Sequence, residues 1–316
     1  RSVYMFDKLK AMFRIGGAKI GMVETLNRIT DHPKIGVNTA EIDRIMDNKR
    51  IYKNKFPDVS YVNSDGMRMH RAFHSLNVSK VVSRKLAKLV FNDGCAISID
   101  DDEADQFLQS VFNDNKFRKN FGEELEAGYA IGGLVLRPYV DTKTNKIKIS
   151  FCRADTFYPL QSNTNDISEA AIATITQQTE GKKNVYYTLL EFHEWENSTY
   201  YIRNELYRSE EQSQTGVRVP LPTLDKYKEL KEETALVGFT RPLFVYIKLA
   251  GKNNIDIDSP LSLGIIDNAK RQLIDINEKY DEFMNEVEEA RRKILASDHF
   301  FKVRYDEKGN PIKRFD

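Results

Sequence analysis

The sequence lacks the patterns expected of a secreted or zinc-binding protein. Among its 316 residues there are only two cysteines, Cys95 and Cys152, with no Cys-x-x-Cys spacing and no cluster of cysteine with histidine. Disulfide-stapled folds and structural zinc sites both need such clusters. The sequence therefore predicts a protein from a reducing, intracellular environment with no structural zinc site.

The chain also lacks an excess of charge of either sign and any long apolar run. Its formal net charge is +1, although 30% of the residues are charged. Domains that grip nucleic acid through its phosphates are strongly basic, so we expect any DNA partner to be held loosely. No apolar stretch is long enough to span a bilayer and no signal peptide is recognisable, so we expect a soluble protein with no membrane partner.

No catalytic set or phosphate-binding loop can be found in the sequence. Gly128, Gly132 and Gly133 precede a predicted strand, whereas the glycines of a nucleotide-binding loop follow a strand and open a helix. No Gly-Lys-Ser or Gly-Lys-Thr is present. We therefore predict a protein that is not an enzyme and has no cofactor. Two alternatives stay open, an ATP-driven enzyme that acts on DNA and a monomeric coiled-coil scaffold or adaptor.

The most informative feature that is present is a long helix predicted over residues 259–297. Apolar or small residues recur there at alternating spacings of three and four, the pattern of a helix that packs lengthwise. At 1.5 Å per residue this helix would be about 50 Å long. Such a helix outruns an ordinary domain, so we expect it to pack on copies of itself or on another long helix. The predicted packing seam consists of Ile266, Ala269, Leu273, Ile276, Tyr280, Phe283, Val287, Ala290 and Ile294.

The remaining elements predict an α+β fold with antiparallel sheets. Helices are expected over 40–52, 77–91, 102–112 and 117–129, and the strands over 170–206 form a meander. The hairpin signal Asn63-Ser64-Asp65-Gly66 joins two short strands, and two further strands, over 299–305 and 312–315, end the chain in another hairpin.

The order and the amino-acid sequences of five segments resemble those of the portal proteins of tailed bacteriophages, in the SPP1-like and A118-like group of Gram-positive phages. These segments are LNRITDHPKIGVNTAEIDRI, SLNVSKVVSRKLAKLVFNDG, FGEELEAGYAIGGLVLRPYVD, ISFCRADTFYPL and SPLSLGIIDNAKRQLIDINEKYDEFMNEVEEARRKI. Together they are distributed over most of the range 20–296. Their ordered combination is specific, although no single segment would be.

The resemblance implies a ring, typically of twelve subunits, at the unique capsid vertex. Double-stranded DNA would pass through it during packaging and ejection. The partners implied are the terminase large subunit, the major capsid and scaffolding proteins and the head-tail adaptor. The location implied is the virion, after assembly in the host bacterial cytoplasm.

The family architecture implies a division of this chain into regions. These are an N-terminal arm and hairpin (1–75), a mixed helix and antiparallel-sheet wing (76–258), one long stem helix (259–297) and the start of a clip (298–316). Family members continue with a second stem helix, a channel loop and a crown, so we expect this chain to be truncated relative to the family. The sequence does not show which helix face lines the channel. Candidate contacts to DNA or to neighbouring subunits are Lys270, Arg271, Lys279, Arg291, Arg292 and Lys293.

Overall fold

The structure, a computed structural model, describes most of the chain as two compact units. The described residues are 25–62, 66–141, 143–163, 166–249, 251–290, 301–306, 308–309 and 311–315. The larger unit contains residues 25–55 and 77–269, and the smaller contains the described residues of 56–76 and 270–315. Helices and antiparallel sheets occur together, which confirms the predicted α+β class.

The helices and strands of the described residues, numbered in chain order, are as follows. The helices are α1 (Thr39–Tyr52), α2 (Val78–Val90), α3 (Asp102–Asp114), α4 (Phe117–Ile131) and α5 (Lys270–Ala290). The first strands are β1 (Thr25–Leu26), β2 (Val59–Val62), β3 (Arg68–Arg71), β4 (Leu134–Asp141), β5 (Lys146–Arg153), β6 (Phe157–Asn163) and β7 (Asp166–Glu180). The later strands are β8 (Lys183–Glu196), β9 (Thr199–Ser209), β10 (Gly216–Val219), β11 (Glu233–Leu236), β12 (Val245–Ile247), β13 (Phe301–Tyr305) and β14 (Pro311–Phe315).

The larger unit is built around a seven-stranded antiparallel sheet. Its order is β1-β10-β9-β8-β7-β6, and β11 also pairs with β9. The predicted meander is confirmed, because β7, β8 and β9 are consecutive neighbours. Both faces of β8 are covered: Leu190 and Phe192 lie in one buried cluster, and Val185, Tyr187 and Leu189 lie in another. This strand is therefore buried on both sides, as its apolar character requires.

A second sheet of three strands, in the order β12-β4-β5, is connected to the first sheet by a buried ion pair. Arg137 of β4 donates from Nε and Nη2 to the two carboxylate oxygens of Glu191 on β8. His193 completes the network, since its Nε2 lies 2.7 Å from Glu191 Oε1 and its Nδ1 lies 2.6 Å from the hydroxyl of Tyr200. Burial alone raises the pKa of the Glu191 carboxyl, but His193 and Arg137 outweigh it and lower this pKa to about 2.

Local capping explains where two helices of the larger unit begin. Asp101 Oδ1 accepts a hydrogen bond from the amide of Ala104 at 2.8 Å, so Asp101 is the cap that starts α3. At α1 the cap is Asn38, whose Oδ1 accepts from the amide of Ala40 at 3.1 Å. The glycines at the end of α4 precede β4, which is the predicted element order.

The predicted start of the long helix is wrong, because α5 begins at Lys270 and not near Ser259. The preceding segment is irregular and is buried in the larger unit, where Leu261, Leu263 and Ile266 are almost fully covered. The amide of Ile265 donates to the carbonyl of Tyr129 at 2.9 Å. Burial of these apolar side chains against the end of α4 therefore overrides the local helix-start signals near Ser259.

Side chains of α1 hold this segment in place. Arg44 Nη1 lies 2.5 Å from Asp267 Oδ2, and the same oxygen accepts from the amide of Gly264 at 2.6 Å. The buried Glu41 accepts hydrogen bonds at 2.8 Å from both Asn253 Nδ2 and Ser259 Oγ. The bond from Asp267 satisfies the amide of Gly264, a backbone donor that a helix would otherwise have paired internally, and the side-chain bonds fix the rest of the segment to α1.

The smaller unit contains α5 and two antiparallel hairpins. One hairpin pairs β2 with β3 and the other pairs β13 with β14, so both predicted hairpins are confirmed. The predicted end of the long helix, over 291–297, lies outside the described residues.

Candidate assembly surface on the long helix

The most deeply buried side chains of α5 are polar. Asn277 and Asp281, one helical turn apart, are the two buried residues of this helix. Asp281 receives a bidentate hydrogen bond from Arg71 of β3, with Oδ1 2.5 Å from Nη1 and Oδ2 2.7 Å from Nη2. Planar guanidinium and carboxylate groups match in this geometry, which fixes orientation as well as distance.

The same two helix residues also satisfy the backbone that follows β3. The amide of His74 donates to Asp281 Oδ1 at 2.9 Å, and the amide of Leu76 donates to Asn277 Oδ1 at 2.7 Å. Asn277 Nδ2 in turn donates to the carbonyl of Leu273 at 2.9 Å. We call Arg71, Asn277 and Asp281 the polar clamp, because they fasten an irregular segment to α5 by hydrogen bonds.

Charge in the clamp is balanced within the smaller unit. The hydrogen bond from Arg71, together with that from the His74 amide, lowers the pKa of Asp281 although burial opposes this. The pKa of Arg71 is raised by the same hydrogen bond. His74 Nε2 also lies 3.5 Å from Glu288 Oε1, one further carboxylate on α5. The clamp is therefore charged and paired at neutral pH.

The apolar stripe of α5 lies on a different side from the clamp and is only partly covered within the unit. Ile276 is 48% exposed and Phe283, seven residues later, is 58% exposed. Leu273, Tyr280 and Val287 are half-buried, and Ala290 is exposed. Of the other predicted seam residues, Ile266 and Ala269 precede the helix, and Ile294 lies outside the described residues.

The predicted cationic contacts are spread around α5. Lys270 and Arg271 are consecutive and so point about 100° apart around the axis. Lys279 Nζ bonds Glu282 Oε2 at 2.7 Å, and this bond raises the pKa of the lysine. Arg291, Arg292 and Lys293 lie outside the described residues. The three of these cations that the structure describes therefore do not share one face of the helix.

A family model described as "Phage portal protein, SPP1 Gp6-like" matches residues 31–314. The chain belongs to this phage portal protein family. Its function is accordingly that of a phage portal protein, a component of the virion capsid. Portal proteins of this family form a capsid-associated oligomeric ring through which DNA passes, and the family is structural. A comparison with curated proteins gives no match.

Two further observations concern membrane-spanning helices and metal-binding groups in this portal protein. No helix within the described ranges is long and apolar enough to cross a membrane. Within the same ranges no group of three or more His, Cys, Asp or Glu side chains is arranged to hold a metal ion.

Sequence reasoning missed the polar clamp of this portal protein. Asp281 belongs to a dense acidic run on the helix and reads there as one more solvated carboxylate, while Arg71 is far away in the sequence. One signal was available. Asn277 and Asp281 share a helical face with a spacing of four, and a small amide and carboxylate pair of that kind suits hydrogen bonding to a neighbouring backbone.

Proposed function

We propose that the chain assembles into a ring, typically of twelve subunits, at the unique vertex of the capsid. In this ring α5 would form the first stem helix around the channel for packaging and ejection of double-stranded DNA. The observation that carries the proposal is the exposed apolar stripe centred on Ile276 and Phe283. A ring gives every copy of that stripe a neighbour to pack on.

The polar clamp strengthens this proposal by fixing which side of α5 faces inward. A helix in an isolated subunit would be expected to turn its apolar stripe toward its own unit. Here the unit covers Asn277 and Asp281, while Phe283 remains in solvent. Rotating the stripe inward would break the hydrogen bonds to Arg71, His74 and Leu76. The stripe is thus held ready for a partner outside the subunit.

The regional boundaries belong to the same proposal. We assign the wing to 76–258, the stem to the helix that the structure describes over Lys270–Ala290, and the start of the clip to the β13-β14 hairpin. The N-terminal arm and hairpin would be 1–75. The clip would meet the terminase large subunit during packaging and the head-tail adaptor afterwards, while the wing would meet the major capsid and scaffolding proteins. Assembly would take place in the host bacterial cytoplasm.

Charge supports passage of DNA rather than tight binding. Each phosphate contact made by a cation strengthens binding through counterion release, so many such contacts would slow a moving duplex. The net charge of +1 and the many carboxylates of α5 fit a channel that DNA slides through. We propose Lys270, Arg271, Lys279, Arg291, Arg292 and Lys293 as contacts to phosphate or to neighbouring subunits.

Negative-stain microscopy of the purified chain tests the ring directly. We expect annular particles with a central hole for the wild type, and only small species for Phe283→Glu, because a charge would be buried in the seam. Phe283→Leu is the matched control and should retain rings, since it keeps the site apolar. Elongated dimers or a stable monomer at high concentration for the wild type would contradict the proposal.

The absence of catalysis is also part of the proposal, and an ATPase assay on the purified chain tests it. A passive ring should show no turnover above background. Sustained ATP hydrolysis that follows the protein through purification would favour the alternative of a packaging enzyme.

A further inference from the structure

The helix α2 presents apolar side chains to solvent and small polar ones to its own unit. Ser79, Ser83 and Ala87 are its buried residues. Val81 and Leu89 are each 65% exposed, and Val82 and Val90 are also exposed. Leu86 packs against a buried cluster, but four apolar side chains of this helix face outward, which is unusual for a helix packed on its own domain. Such a face is expected to meet a partner.

Cations surround this apolar face. A surface groove of about 450 Å³ runs along α2, lined by Asn77, Lys80, Val81, Arg84, Lys85, Lys88 and Leu89. Arg84 is paired with Glu126 at 3.0 Å. Among the described residues, Lys80, Lys85 and Lys88 have no carboxylate partner within the subunit. We call the exposed residues of α2 (Val81, Val82, Lys85, Lys88 and Leu89) the basic face.

A second exposed surface of the same unit has the complementary character. Ile97 and Ile99 are 45% and 47% exposed, and Phe107 of α3 is 60% exposed. The exposed carboxylates Asp100, Asp102 and Glu103 lie beside them and, within the described part of the chain, have no cationic partner. We call Ile97, Ile99, Asp100, Glu103 and Phe107 the acidic face. It has an apolar centre with a negative rim, whereas the basic face has an apolar centre with a positive rim.

We propose that the basic face of one subunit docks on the acidic face of a second copy of this chain, next to it in the ring. A closed ring uses head-to-tail contacts, in which two different surfaces of each subunit must complement each other. These two faces are both exposed, opposite in charge and apolar at the centre. The apolar groups would supply affinity, and the charges would select the partner face and its register.

The inference rests on the ring assembly put forward under Proposed function, but it concerns the wing and not the stem. Duplex DNA and an anionic membrane are the other partners that a basic helix face suggests. Neither accounts for the exposed acidic face in the same unit, which would repel both of them. A second copy uses both faces at once and leaves neither unpartnered.

Charge reversal on the full chain tests the contact. Lys85→Glu with Lys88→Glu (the α2 variant) places like charges opposite the acidic face, and Asp100→Lys with Glu103→Lys (the α3 variant) does the same from the other side. In native mass spectrometry and sedimentation at low salt, we expect each variant alone to lose ring formation by about tenfold or more. An equimolar mixture should recover it, because α2- and α3-variant subunits alternate with complementary faces.

The matched control reverses two exposed lysines elsewhere, Lys182→Glu with Lys252→Glu, and should assemble like the wild type. Circular dichroism melts of each variant separate a folding defect from an assembly defect, and rescue in the mixture is not expected of misfolded chains. Rings from the α2 variant at wild-type yield, or a mixture no better than its components, would overturn the inference while leaving the ring intact. The inference would also be overturned if the α2 variant assembled like the wild type but no longer bound a short DNA duplex or anionic vesicles. A wild type that forms no ring would instead remove the proposed function itself.

Discussion

At the residue scale, two of the ion pairs in this structure join segments that are distant in sequence. Arg71 with Asp281 joins a hairpin to a helix, and Arg137 with Glu191 joins two sheets. Removing one member of such a pair leaves the other charge poorly solvated, which costs more than the pair itself contributes. Single substitutions are therefore informative at these sites.

Replacing Arg71 with Met should loosen the polar clamp. We expect a loss of about 2 kcal/mol in local stability, because two charge-assisted hydrogen bonds to a mostly buried carboxylate are removed. Hydrogen exchange at the amides of His74 and Leu76, which donate to Asp281 and Asn277, reports this opening directly. Arg68→Met on the exposed part of the same strand is the control and should change exchange little. Unchanged protection in the Arg71 variant would show that the clamp does not hold this segment.

Glu191→Gln should destabilise the larger unit by about 2 kcal/mol at neutral pH, because Arg137 loses its buried anionic partner. The folded-state pKa of Glu191 is about 2, below the value of about 4.3 in an unfolded chain. Its contribution is therefore complete above about pH 4.3 and is lost as pH falls toward 2. The gap between thermal melts of wild type and variant should narrow as pH falls from about 4.3 to about 2, and a gap that stays constant with pH would contradict this.

At the element scale, the start of α5 shows how tertiary burial ends a helical pattern. Ser259, Pro260 and Ser262 are sound helix-start signals, and the apolar spacing follows from Ile266 onward without a break. In the structure the larger unit buries Leu261, Leu263 and Ile266, and Asp267 binds the amide of Gly264. The helix consequently begins only after this segment has been used as part of a core.

Gly264 is the residue that permits this close approach. A Cβ placed there would lie 2.2 Å from the carbonyl oxygen of Ala130, a backbone atom that cannot move aside as a side chain does. Gly264→Ala should therefore lower the free energy of unfolding by about 3 kcal/mol, as other overpacked sites do. Chemical denaturation measures this, and Gly36→Ala is the matched control because nothing lies within 4 Å of its Cβ position. Equal stability of the two variants would refute the packing account.

At the scale of the whole molecule, the proposed ring would use two contacts of different physical character. The stripe with Ile276 and Phe283 on α5 is apolar, whereas the basic and acidic faces of the wing combine apolar groups with opposite charges. Interactions between exposed charges are screened within about 3 Å at 1 M salt, compared with about 10 Å at 0.1 M. Apolar burial persists at high salt.

Salt should therefore separate the two contacts in sedimentation experiments. We expect the defect of the Lys85→Glu, Lys88→Glu variant to shrink markedly between about 0.1 M and about 1 M salt, because like-charge repulsion is screened. The defect of Phe283→Glu should persist at both concentrations, since the cost there is desolvation of a charge in an apolar seam. Identical salt responses of the two variants would indicate that the contacts are not distinct in this way.

The sequence by itself determined the α+β class, the meander, both hairpins, most helix boundaries and, through ordered local segments, the family. These properties depend on periodicity, turn residues and caps, which act between residues close in the chain. Only the tertiary structure decided that α5 starts at Lys270, that α2 turns its valines outward and that Asp281 meets Arg71. Each of these depends on which distant surface competes for a side chain, and burial against that surface contributes more free energy than the local preference it overrides.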